Sequence, residues 1–170
     1  MKTFKILFAA IIIAGFASTA VAQDVTTSAV IIAELETTKD TDLSFGGVIA
    51  GTNASMNPVD GVTANVGVND IEEVFGKIDI TGLSGRNITV EFAGINLEGP
   101  GADIAYSPLV SLGDDGDSVE GLAVTSLTPI ALPADESFLY IGGTISPDIN
   151  QVAGTYTGEM TVTIDYSSDI

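Results

Sequence analysis

Cysteine, histidine and tryptophan are all missing from this chain, and only five of its 170 residues are basic. Without cysteine there is no disulfide staple and no thiol chemistry. Without histidine the commonest general base is gone, together with serine–histidine triads and the usual zinc and copper ligands. Catalysis would have to rest on carboxylate pairs or a serine–lysine dyad. Lysine is scarce and no tryptophan can form a sugar-stacking platform, so neither option has local support. The expectation is a protein that is not an enzyme and carries no cofactor. The shortage of positive charge excludes a second set of functions. Against those five basic residues stand 23 acidic ones, for a formal net charge of −18. Binding to nucleic acid or to an anionic lipid surface needs a basic stripe, so both are poor partners. Such a balance favours solubility, and either divalent cations or a cationic partner.

What the chain does contain begins with an address. Lys2 and Lys5 give a basic start, residues 6–16 form an apolar run, and Ala20-Val21-Ala22 supplies a small-x-small cleavage pattern. Residues 1–22 are therefore expected to be a signal peptide cut between Ala22 and Gln23. The run is too short for a membrane span and has no basic residues after it. No later stretch reaches that length, so the mature chain is expected to be exported without a span, passing the periplasm to the cell surface or beyond. Gln23 also excludes the cysteine attachment of a lipoprotein. Cleavage leaves Lys39, Lys77 and Arg86 against all 23 acids, a formal charge of −20. The remaining residues, 23–170, suit one domain able to bury about two-thirds of its extended-chain surface.

Period-2 alternation recurs along this domain, and helical periodicity is nearly absent. It predicts strands over 25–33, 42–45, 62–68, 75–81, 87–92, 104–112, 122–127, 138–145 and 157–166. Turn signals separate them at Gly82 and Gly85, Gly99-Pro100-Gly101, 113–117 and Pro133-Ala134-Asp135. Only 68–75 could be helical, and it is short. About eight or nine strands at this spacing predict an all-β, antiparallel, immunoglobulin-like sandwich, with a closed barrel as the alternative. Along 157–166, Gly158, Met160, Val162, Ile164 and Tyr166 point one way while Thr157, Glu159, Thr161, Thr163 and Asp165 point the other. One face of that strand is expected on the core and one in water.

Four places could carry function. The acidic loop holding Asp114, Asp115, Asp117 and Glu120 has oxygens and glycines enough for calcium, but its register does not match a twelve-residue hand loop. A solvated turn is the better expectation. Gly142-Gly143 inside an apolar strand predicts a bulge or a close backbone approach. Tyr156, between Gly154 and Gly158, reads as a corner residue fixing the start of the last strand. The segment 24–35 puts Val25, Thr27, Ala29, Ile31 and Ala33 on one face directly after the cleavage site, with no proline. It is either an ordinary first strand or a strand donated to a neighbouring molecule's open sheet.

Three segments stand in order: Thr41-Asp42-Leu43-Ser44-Phe45-Gly46, Gly142-Gly143-Thr144-Ile145, and Gln151-Val152-Ala153-Gly154-Thr155-Tyr156-Thr157-Gly158 with the strand through Tyr166. In these the chain resembles a secreted bacterial family of unknown function that shares a D-L-x-F-G box and a Q-x-A-G-T-Y-T-G box. More distantly it resembles the spore-coat-protein-U-like pilins of archaic chaperone–usher systems, which end in a similar A-G-T-Y strand. The pilin resemblance implies an incomplete sandwich, held by a periplasmic chaperone, passed to an usher and polymerised by donor-strand exchange. The segment 25–35 would then be the donor. Tyr156, Met160, Val162, Ile164 and Tyr166 would flank the acceptor groove.

These readings converge on an exported structural subunit of a pilus-like filament or surface coat, assembling with itself or related subunits by strand complementation. The alternative is a monomeric secreted adhesion or ligand-binding sandwich, with calcium as a stabiliser. A hydrolase using paired carboxylates is a remote third.

Overall fold

A computed structural model describes residues 31–168. Among these residues eleven strands run in chain order: β1 (Glu36–Thr41), β2 (Ala54–Asn57), β3 (Val62–Ala64), β4 (Gly76–Thr81), β5 (Asn87–Glu91), β6 (Ile95–Leu97), β7 (Ile104–Gly113), β8 (Leu122–Val124), β9 (Ile130–Ala131), β10 (Glu136–Ile145) and β11 (Thr163–Tyr166). A single 3-10 turn, Val68–Asp70, is the helical content among the described residues, within the stretch where the sequence allows a helix. Every ladder is antiparallel. The architecture is the all-β sandwich that the alternation predicts. The extra strands are the six-residue β1 and three short ones, β2, β6 and β9, whose two to four residues are too few to show a period.

Strand β10 is the axis of the larger sheet. Its 138–145 stretch pairs with β7, while on the opposite flank β4 takes Glu136 to Ile141 and β2 takes Gly143 to Ile145. β1 lies outside β4, β3 outside β2, and β6 and β8 pair with opposite ends of β7. The smaller sheet has three strands in the order β11-β5-β9. Ile80, Leu139, Ile141, Val110 and Leu112 of the larger sheet close on Ile88 and Val90 of β5 to form the main core. A second cluster, Ala54, Ile104, Tyr106 and Ile145, lies under the other end of β10. No strand of the smaller sheet covers it. Phe45, Val48, Val66 and Tyr156 pack there from loops, with Phe45 edge-on to Tyr106 at 5.9 Å between ring centroids.

The Gly142-Gly143 pair marks a close backbone approach, one of the two outcomes the sequence predicts. A Cβ on Gly142 would stand 2.2 Å from the Met56 carbonyl oxygen, and one on Gly143 2.3 Å from that of Ser107. Gly143 also has φ of 141°, a conformation that side chains disfavour. The Tyr106 hydroxyl donates to the Gly142 carbonyl at 2.6 Å, tying the second cluster to the axis.

Several predicted strands are shorter than their patterns. The 62–68 strand stops at Ala64, because Asn65 and Gly67 take left-handed conformations. Residues 42–45 contribute only a bridge from Ser44 to Val74. Residues 31–35 carry no strand pairing, and 25–30 lie outside the described residues. The last strand is paired over 163–166 alone, with a single bridge from Thr157 to Glu98 before it. Among the described residues no helix is long and apolar enough to cross a membrane.

Candidate strand-docking edge

Tyr156 anchors the approach to the last strand. Its hydroxyl donates back to the Val152 carbonyl at 2.9 Å, four residues upstream. Its ring lies over the turn after β6, where a Cβ on Gly99 or Gly101 would be 2.5 or 2.6 Å from tyrosine atoms. The Gln151 amide donates to the Ala102 carbonyl in the same turn. Most of the 151–158 box is thus spent seating the chain on the β6–β7 hairpin. A tyrosine whose hydroxyl returns to the backbone fixes a corner in just this manner.

From Thr157 the chain runs antiparallel to 91–98, first against β6 and then against β5. Thr157 exchanges both backbone bonds with Glu98, and Thr163 faces Glu91. Between these points the register slips by one residue and the ladder opens. Residues 158–162 make no backbone hydrogen bond to any described residue. A cavity of about 470 Å³ lies in the opening, lined by Glu91, Phe92, Ala93, Ser126, Leu127, Thr161 and Thr163. Ser126 holds one side of it, accepting from the Phe92 N–H at 3.1 Å and donating to the Phe92 carbonyl at 2.9 Å.

The inward face alternates as the sequence predicts, but its burial is incomplete. Met160, Val162, Ile164 and Tyr166 all pack against the main core and all remain half-buried. Met160 touches the second cluster as well. The cause is topological: β11 pairs with β5 on one flank and with no described strand on the other. Tyr166 closes the far end, its hydroxyl accepting the Leu83 N–H at 2.8 Å.

The other half of the site is the chain before β1. Leu35 packs against the main core and meets Tyr166 over Gly82, where a Cβ would stand 3.0 Å from Leu35 and 2.8 Å from the tyrosine oxygen. Ile31 is 94 % exposed and Ala33 is exposed too. Val25, Thr27 and Ala29, like the cleavage residues Ala22 and Gln23, lie outside the described residues. The structure therefore sets the root of the predicted donor beside the end of the predicted acceptor, a neighbourhood that the sequence does not reveal. Sequence reasoning also misses β1 itself, whose Glu-Thr-Thr-Lys-Asp-Thr has no apolar period and whose six residues are all exposed.

The acidic loop is a separate feature. Asp115 accepts the Asp117 N–H through its side chain at 2.9 Å, forming a tight turn. The Tyr140 hydroxyl donates to the carbonyls of Asp115 and Gly116, which fastens the loop over the outer face of β10, and burial raises the tyrosine's pKa. Asp114 and Glu120 line a different cleft, about 420 Å³, beside Val59 and Leu122. Among the described residues no three acidic side chains converge so as to hold a metal ion. Near β1, Lys77 lies 3.4 Å from Asp40 and 3.7 Å from Asp79, with its ammonium 4.7 Å above the Phe138 ring. Burial lowers its pKa, and the Asp40 bond and surrounding charges more than offset that, leaving it raised.

No curated protein matches the chain. A family model does, over residues 35–166, from the Leu35 root to the last residue of β11. On that match, which spans most of the chain, the protein belongs to the family described as Domain of unknown function (DUF4402).

Proposed function

We propose that this chain is an exported, non-enzymatic structural subunit of a filament or surface coat. Copies join when the 25–35 segment of one lies along the open flank of β11 in the next. The observation that carries this reading is the half-burial of Met160, Val162, Ile164 and Tyr166 on a strand that pairs with no described strand on one flank. An edge of this kind offers main-chain donors and acceptors beside exposed core, which is what an added strand requires. The alternating face of Val25, Thr27, Ala29, Ile31 and Ala33 has the period to supply it, and Ile31 is already in solvent. A periplasmic chaperone and an usher would be the partners in transit, as the pilin resemblance implies.

The test compares residues 23–170 with a version starting at Leu35, and adds a 24–34 peptide to each. The longer chain should form oligomers, and the shorter should stay monomeric, melt lower and be stabilised by peptide. A longer chain that stays monomeric, with a shorter one indifferent to peptide, would sink the reading.

A further inference from the structure

The two segments that meet in this proposal are both acidic, and little positive charge is left to oppose them. Asp24 and Glu34 bracket the incoming stretch. On the receiving edge Glu159 and Asp165 are exposed, and so is Glu91 across the ladder from Thr163. Lys39 is committed to Asp42 at 2.7 Å and Lys77 to Asp40 and Asp79. Of the three basic residues after the cleavage site, only Arg86 enters no ion pair among the described residues. With a charge of −20 on each copy, a junction between copies is dominated by like charge.

This reverses the usual effect of salt. Interfaces built on complementary charge weaken as salt rises. Here screening would remove repulsion while leaving main-chain hydrogen bonds and apolar contacts in place. At about 0.01 M salt the screening length is about 30 Å, so acids throughout one copy oppose those of the next. At about 0.15 M it is about 8 Å, and only charges lining the junction still interact.

We propose that joining of copies through the β11 edge is switched on by ionic strength, with simple monovalent counterions sufficient and Glu159 and Asp165 setting part of the threshold. The inference rests on the strand-complementation reading and adds its control. In a chain that carries an export signal in its sequence, such a threshold would hold subunits apart in dilute medium and let them join in salt.

Sedimentation velocity of residues 23–170 in about 0.01 M and about 0.15 M NaCl provides the test. The concentration for half-association should fall by about tenfold or more at the higher salt. The double variant Glu159→Gln, Asp165→Asn should associate more readily at low salt and respond less to added salt. Both wild-type side chains are exposed, and thermal melts of the same samples check the fold. Should the double variant melt early, Glu159→Gln alone, outside the β11 ladder, carries the comparison. Association that is flat or falling with salt overturns the inference and leaves strand complementation standing. An equal salt response in wild type and variant overturns the role of the edge acids. No association at either salt, with no response to the 24–34 peptide, is instead the failure of strand complementation itself, and the inference falls with it.

Discussion

Strand β10 is hydrogen-bonded along both flanks, to β7 on one side and to β4 and β2 on the other, whereas among the described residues β11 is bonded to β5 alone. The consequences for burial follow directly. Seven of the ten residues of β10 are buried, including Leu139, Tyr140, Ile141 and Ile145, and loops cover its outer face at Pro58 and Gly116. The four residues of β11 alternate between exposed and half-buried. Both strands carry apolar side chains toward the same core. What separates them is the number of neighbours, since a strand side chain is covered by adjacent strands as much as by the opposing sheet. A finished strand needs its polar backbone satisfied on both flanks, and the described residues finish β11 on one.

The sharpest way to break this comparison is to force β10 apart from its neighbours. Gly143→Val would drive a side chain into the Ser107 carbonyl at a positive φ. We expect a loss beyond about 4 kcal/mol, seen as failure to give a folded circular dichroism spectrum. Next comes truncation on the shared core. Leu139→Ala, fully buried, should cost about 2–5 kcal/mol in urea denaturation. Ile164→Ala, half-buried on β11, should cost about 1 kcal/mol, because much of its surface already meets water. Equal losses at the two positions would mean that β11 is as well covered as β10, and would remove the ground for an added strand.

A separate effect is a pH dependence. Burial raises the pKa of Tyr106 above its ordinary value of 10.0, because the charged phenolate is disfavoured inside the protein. The unfolded chain therefore ionises first as pH rises. Stability from this group is intact below about pH 10 and falls above it, by up to about 1.4 kcal/mol per pH unit. Tyr106→Phe should remove that slope. It should also cost about 1–3 kcal/mol at neutral pH, through the lost bond to the Gly142 carbonyl. An unchanged alkaline slope in urea melts at pH 10–11 would assign the titration to another group.

Legibility followed side-chain patterning. Gly76–Thr81 and Asn87–Glu91 stand within a residue of their predicted ends, because each has one face on the core and one outside it. The ten-residue β7 was also legible, although its far end, from Val110 to Gly113, is buried at every position and shows no alternation. β1 was invisible for the opposite reason: backbone pairing to β4 holds it, and none of its side chains is buried. The acidic loop suggested oxygens for a cation, yet its turn is held by Asp115 on its own backbone and by Tyr140 beneath it. Nothing in the composition of 113–120 marks that tyrosine.

By itself the sequence determined a β-rich, disulfide-free, strongly acidic chain, with turns placed by glycine and proline and a terminal stretch apolar on Met160, Val162, Ile164 and Tyr166. These are local properties, set by residue type and a period of two. Only the tertiary structure decided that this stretch lies at the edge of the described sheet, that its 158–162 backbone is unpaired by described residues, and that Leu35 stands beside Tyr166 at its end. Strand order and neighbour count depend on contacts between residues far apart in the chain, and a side-chain pattern records which face is apolar without recording what stands next to it.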